Sequence, residues 1–493
     1  MTTSRCNYGP DRWPSFEYDG FLVRRIMLSR TVVICLFIGA LGGCAARAPE
    51  WQAFDPGGKV DRPGLQGVWE NPATGHLVQF TSFRTDVFHR LDDFCIRDTG
   101  VVPPYSLYHL DARRGELSLH YYDYRSRASL LQAPLVFRRV SALSETCASE
   151  EAGTGSRAAP SQLYELITRT FDRFYRFFAV RELDWAARKA RFDERARVLQ
   201  TDEQLFDLLA EMLEPLGDGH VNVTWSGRAF NAAAPKLRTR LRNVWAAART
   251  TVSEGDFVPA WHRAVLESIY PALDPDSRRS GAAGALEWGT IADTVGYVRI
   301  NRFSGFTSAN ATRPVQYDSL AAALSQMRKD LMPSTLLIVD VALNGGGSDA
   351  AAQLIAGYFA DIRRPVLRYE AEGSPSHTIF VAPVEAGERR PVLLVTSEVT
   401  ASAAEAFVLM MRAFPHVTHL GERTRGDLSS LLPKPFPNGF RVTLAYQRVL
   451  DDEGVSYEGV GIPPERMIEL FPDTNLTAGL ATAVAGLARR GLR

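Results

Sequence analysis

Between residues 294 and 414 the chain alternates short apolar runs with amphipathic ones, and this rhythm constrains the fold most. TVGYVRI (294–300) reads as a strand and DSLAAALSQMRKDL (318–331) as an amphipathic helix. TLLIVDVA (335–342) is an almost unbroken apolar strand, as a covered parallel sheet requires. Asn344-Gly345-Gly346-Gly347 then turns into the helix DAAAQLIAGYF (349–359). PVLLVTSE (391–398) is a second buried strand, feeding the helix AAEAFVLMMRAF (403–414). Strands alternating with helices predict an α/β layer fold.

Two strand ends of such a sheet open onto one crevice, where ligands bind. Ser402 lies at the second, between strand and helix, with the Ala403 amide at the helix N-terminus able to face negative charge. The same serine, with Glu405, also spells a Ser-x-x-Glu capping box, and that structural role stays open. The glycines 345–347 allow close backbone approach to a ligand but equally suit a plain tight turn. His220, in Gly217-Asp218-Gly219-His220-Val221, is either a structural histidine or the base that a reactive serine needs. No Walker loop, dinucleotide fingerprint, HExxH, CxxC or GxSxG occurs, so nucleotide enzymes, zincins and ordinary α/β-hydrolases lose ground. No metal site or cofactor is expected.

The rest of the chain divides by composition. Residues 65–148 are β-rich, with LQGVWEN, HLVQFTSF, ELSLHYYDY and APLVFRRV as short strands of a small barrel or sandwich. Residues 149–160 read as a linker. Residues 161–292 read as a helical subdomain carrying His220, with a Thr201–Gln204 capping box and a mostly helical stretch over 226–290. The α/β core is expected over 293–475 and a C-terminal helix over 476–493. Lys+Arg and Asp+Glu are both 56, so no basic excess favours nucleic acid as a partner.

The first residues read as an address. Arg24, Arg25 and Arg30 precede the apolar run TVVICLFIGAL, too short to span a bilayer but suited to a signal peptide. It ends in Leu41-Gly42-Gly43-Cys44, which resembles the bacterial lipobox. Residues 1–44 are thus expected to be a signal peptide with Cys44 lipidated, an ordinary signal peptide being the alternative. Met27 makes residues 1–26 a candidate upstream mis-start, and residues 45–64 a tether. This predicts a lipid-anchored protein of the bacterial cell envelope, on the periplasmic face of the outer membrane. Five cysteines are present, and removing or lipidating Cys6, Cys35 and Cys44 leaves Cys95 and Cys147, a disulfide or two buried thiols.

LGDGHV, VGYVRINRF, LIVDVALNGGG, VTASAAEAF, GERTRG and YEGVGIPPE follow one another in an order that resembles the tail-specific (C-terminal-processing) serine peptidases. That family includes the tricorn core peptidase and the interphotoreceptor retinoid-binding protein. The resemblance, over about residues 160–470, implies a crotonase-like (ClpP/crotonase) core with a helical N-terminal subdomain. It implies Ser402 as nucleophile and Gly345, Gly346 and Ala403 as oxyanion hole. The Ser-Lys branch carries its lysine at the end of a G-x-x-T-x-G-K loop, which here reads Gly421-Glu422-Arg423-Thr424-Arg425-Gly426-Asp427. Asp427 stands where that lysine would, and Lys434 lies seven residues beyond. The tricorn-like branch fits better, implying His220 as base and Glu458 as the residue that orients it. Gly219 stands where the tricorn core has a serine, and Asp218 is a candidate accessory. Proteins or peptides are the implied substrates. A non-catalytic peptide- or lipid-binding lipoprotein and an esterase are the competing readings.

Overall fold

The computed structural model describes residues 52–53, 64–81, 85–98, 107–111, 114–120, 135–151 and 157–491, apart from 234–235, 249–250, 309–310, 312 and 385. The signal peptide, Cys44 and most of the tether lie outside the described residues. Within the stretch read as tether, Gln52–Ala53 pairs as a strand with Leu107–Tyr108.

The core is a seven-stranded sheet whose order is 279–281, 286–291, 295–300, 336–340, 392–396, 417–421 and 466–467. From Val295–Ile300 onward every neighbouring pair is parallel. Alternate side chains leave opposite faces of a strand. Accordingly Val298, Ile300, Leu337 and Val339 pack beneath helices Asp349–Gly357 and Ala403–Arg412. Val295, Tyr297, Leu336 and Ile338 pack on the other face against the C-terminal helix Gly479–Gly491 and neighbours of helix Glu254–Ser268. Two-sided burial explains why the sequence reads as continuous apolar runs.

The stretch 226–290 departs from its mostly helical reading. It holds helices Lys236–Ala247 and Glu254–Ser268, but also strands Arg228–Asn231, Arg279–Gly281 and Leu286–Ile291. The boundary drawn at 292/293 therefore cuts a hairpin. Leu286–Ile291 pairs antiparallel with Val295–Ile300 through a turn in which Ala292 and Asp293 take φ of 48° and 59°. Such positive φ values suit tight hairpins, yet alanine there gives no turn signal in sequence.

Ahead of the core, helices Pro160–Phe174, Trp185–Ala196 and Asp202–Leu213 form a cluster around Ile167, Phe171, Leu209 and Met212. Thr201 and Gln204 close the reciprocal capping bonds at the third helix. A four-stranded sheet of order 228–231, 222–225, 441–445 and 431–435 joins this subdomain to the core. It pairs Thr443 with Asn222, two residues from His220. That pairing closes the sequence gap between the two parts of the site.

An eight-stranded antiparallel sheet forms the β-rich domain, around Trp69, Val78, Phe80, Leu117 and Phe137. Cys95 and Cys147 form a disulfide that ties strand Phe94–Arg97 to helix Glu145–Glu151. The domain docks on the core through Lys434, whose buried Nζ donates to the Thr74 carbonyl and lies 4.4 Å from the centre of the Phe174 ring. Burial lowers the Lys434 pKa from its usual 10.5 to about 7. Between those values the unfolded chain holds a proton that the folded one sheds, so this lysine makes stability rise with pH from 7 toward 10.5. A Lys434→Met protein should lose that rise; melting temperatures of both proteins at pH 7 and 9 check this.

Candidate active site

Ser402 is the residue joining the loop after strand Val392–Thr396 to helix Ala403–Arg412. Its backbone is held at φ 57° and ψ −127°, a conformation that L-residues seldom adopt and that marks functional sites. Two contacts impose it. The Ser402 N–H donates to the Asp427 carbonyl at 3.0 Å and to Glu405 Oε2 at 3.1 Å. Glu405 therefore closes back on the serine as in a capping box, but the hydroxyl makes no cap hydrogen bond. Instead Ser402 Oγ lies 3.2 Å from His220 Nε2. The glycine turn leans on the same residue, since a Cβ at Gly346 would stand 2.7 Å from Ser402 Cβ and 3.1 Å from the Ala403 nitrogen. With φ at 107°, Gly346 is doubly restricted to glycine.

His220 is held from its backbone. Its N–H donates to Asp218 Oδ1 at 2.8 Å and its carbonyl accepts from Thr443 Oγ1 at 2.8 Å. Burial lowers the imidazole pKa below 6.5, with Asp218 and Asp427 pulling it back up. A neutral imidazole at hydrogen-bond distance from a hydroxyl can take its proton.

The resemblance implied that Glu458 orients His220, but it makes no hydrogen bond to the ring. Both of its oxygens are engaged elsewhere. Oε1 accepts from Arg181 Nη2 at 3.1 Å, and Oε2 accepts the Leu428 and Ser429 amides at 2.8 and 2.7 Å. Arg181 is the residue that sequence reading missed. Its guanidinium lies within 3.4 Å of Asp218, 3.1 Å of Asp427 and 3.1 Å of Glu458, and also donates to the Gly217 carbonyl at 2.8 Å. Those three carboxylates approach one another within 4.8 Å, as metal ligands can, but the guanidinium supplies the positive charge among them. Burial, then Asp218, raises the Glu458 pKa well above the ordinary carboxylate range, against the pull of Arg181. Arginine is so common here that one in AVRELDW carries no signal.

Glu405 is likewise more than a cap. Fully buried, it accepts from Thr424 Oγ1 at 2.6 Å, the Gly426 amide at 2.7 Å and the Asp427 amide at 2.8 Å. It thereby ties the 421–427 loop to the serine. Burial and then Asp427 push its pKa up to about 7.

Of the oxyanion donors implied, the Gly346 N–H is committed to Asn344 Oδ1 at 2.8 Å, because the turn folds back on its own first residue. Gly345 and Gly347 are exposed, and Gly347 lines the same cavity as Ser402. The Ala403 amide faces Gly346 beside them. That cavity measures about 500 Å³ and is walled on its far side by Asn71, Thr74 and His76 of the β-rich domain.

Comparison with known proteins adds family evidence. Residues 294–468 match the model of peptidase family S41, and residues 156–214 match the tricorn protease C1 domain. The carboxyl-terminal-processing protease of Synechocystis is 27% identical over 192 residues, covering 38% of this chain and 42% of that protein. The chloroplastic C-terminal processing peptidase of Tetradesmus obliquus is 26% identical, covering 42% of this chain and 41% of its own length. The chain thus spans about two fifths of the curated relatives it matches. A crystal structure of a Parabacteroides merdae protein superposes with a TM-score of 0.52 at 24% identity, covering 67% of this chain and 97% of that one. This likeness shows the fold.

Proposed function

We propose that this chain is a tail-specific serine endopeptidase of the S41 type, cleaving proteins or peptides through Ser402 and His220. The observation that carries the reading is the 3.2 Å contact between the hydroxyl and Nε2, made by a serine held at positive φ. His220 accepts the proton as Ser402 Oγ attacks a peptide carbonyl. The Ala403 amide and an amide of the 345–347 turn receive the oxyanion, each donor contributing about 3 kcal/mol to the transition state. His220 then returns the proton to the leaving amine, and water releases the acyl-enzyme by the same route. Glu458 acts at one remove, holding Arg181 and the 428–429 backbone rather than the imidazole.

Because burial lowers the His220 pKa, the acid limb of kcat/KM should have its midpoint below the ordinary histidine value of 6.5. A pH profile with a fluorogenic peptide measures it, and a midpoint at 7 or above counts against His220 as the base.

The envelope location rests on Leu41–Cys44, with the Cys95–Cys147 bridge in keeping with an oxidising compartment. Metabolic labelling with a radioactive fatty acid should mark the protein and not its Cys44→Ala variant. The β-rich wall of the cavity supports a role for that domain in shaping what reaches Ser402.

A further inference from the structure

Around the site the buried Nε atoms of Arg181 and Arg425 lack a hydrogen-bond partner, and so do two atoms of complementary character, His220 Nδ1 and Asp427 Oδ2. One is a donor when Nε2 faces the serine, and the other is an acceptor. We propose that Asp427 is the positioning residue of the imidazole, its Oδ2 accepting the Nδ1–H of His220 through one water. The inference rests on the serine–histidine reading above.

Among the described residues, the other carboxylates around His220 and the Ser402 backbone are committed. Asp218 gives Oδ1 to the His220 backbone and Oδ2 to the Tyr175 hydroxyl at 2.8 Å. Glu458 gives both oxygens to Arg181 and the 428–429 amides. Glu405 gives both to Ser402, Thr424, Gly426 and Asp427. Asp427 spends only Oδ1, on Arg181 at 3.1 Å, while Oδ2 has just the Arg425 guanidinium at 3.8 Å. Its backbone is fastened to the nucleophile, through the Ser402 N–H at 3.0 Å and Glu405 at 2.8 Å. Oδ2 lies against the residue next to His220, 2.4 Å from where a Cβ would stand on Gly219.

That last distance links two departures of this chain from its family's pattern. An aspartate stands where the Ser-Lys branch has its lysine, and a glycine stands where the tricorn core has a serine. Any side chain at 219 would occupy the space that the Asp427 carboxylate fills, so the aspartate requires the glycine. The carboxylate holds the tautomer whose Nε2 is free to accept, and opposes the positive charge that the ring gains when it takes the Ser402 proton.

The test uses the full chain and two readouts: the rate at which a fluorophosphonate probe labels Ser402, and kcat and KM on a fluorogenic peptide across pH. Asp427→Asn keeps the size and an oxygen for Arg181. Its labelling rate and kcat should fall about a hundredfold or more, with KM within about threefold, because Asp427 does not line the cavity. Its acid limb should move to lower pH, since a charge that raises the His220 pKa is gone. Gly219→Ser and Asp427→Gly should each lose activity, and the activity of the double variant should exceed the product of the two residual activities by at least tenfold. An Asp427→Asn protein with wild-type labelling rate and acid limb overturns the inference, as does a double variant no better than that product. Wild-type protein that never labels at Ser402 overturns instead the reading on which it stands.

Discussion

Replacing Ser402 with alanine should abolish peptide hydrolysis and fluorophosphonate labelling while leaving the melting temperature within a few degrees of wild type. Removing the nucleophile of a serine peptidase lowers kcat by about 10⁴-fold or more, with the residual rate coming from oxyanion donors and binding. The fold should survive because the hydroxyl is not what holds the helix start. Glu405 accepts the Ser402 N–H, and the Asp427 carbonyl accepts it too. Neither bond involves Oγ. The experiment is mass spectrometry of the labelled protein beside mapping of cuts in a denatured substrate. A Ser402→Ala protein that still cleaves moves the chemistry elsewhere. A wild-type protein that folds, yet neither labels nor cleaves, favours a binding protein on the same fold.

What was legible follows from where burial imposes a pattern. Strands 336–340 and 392–396 are covered on both faces, so their sequences are apolar up to Asp340 and Thr396, and their ends point to the crevice. Ser402 could be picked out as the residue between strand and helix, though its Ser-x-x-Glu spacing argued equally for a cap. The structure has both at once, because Glu405 closes the backbone half while the hydroxyl turns to His220. The pairing of His220 with Ser402 carried no local signal. It depends on Asn222–Trp225 and Arg441–Ala445 meeting in one sheet, a long-range pairing that neither segment declares alone. Leu286–Ile291 was hidden by its Ala- and Gly-rich surroundings and a turn without Gly or Asn. Asp427 registered in sequence only as a missing lysine, since its meaning comes from lying against Gly219.

Arg181 was the least legible and carries the largest structural consequence. An Arg181→Met protein should be less stable than wild type by about 3–5 kcal/mol at pH 7, the usual cost of removing one partner from a buried ionic cluster. The arginine side chain is only 7% exposed and touches Asp218, Asp427 and Glu458, each exposed by 2% or less. Without it only the Arg425 guanidinium, 3.8 Å from Asp427 Oδ2, offsets their mutual repulsion. The sign with pH follows from Glu458, whose folded pKa already lies above its usual 4.5 and loses the one charge that pulls it down. A carboxyl raised in the folded state contributes stability below its unfolded pKa and loses it as pH rises. The deficit of the variant should therefore widen from pH 5 to pH 8, which urea unfolding at both values measures. Arg181→Lys should recover only part of the loss, because an ammonium cannot span three carboxylates and the Gly217 carbonyl with one planar fork. A variant as stable as wild type at pH 8 would mean that the cluster is held by its backbone amides and the Tyr175 hydroxyl instead.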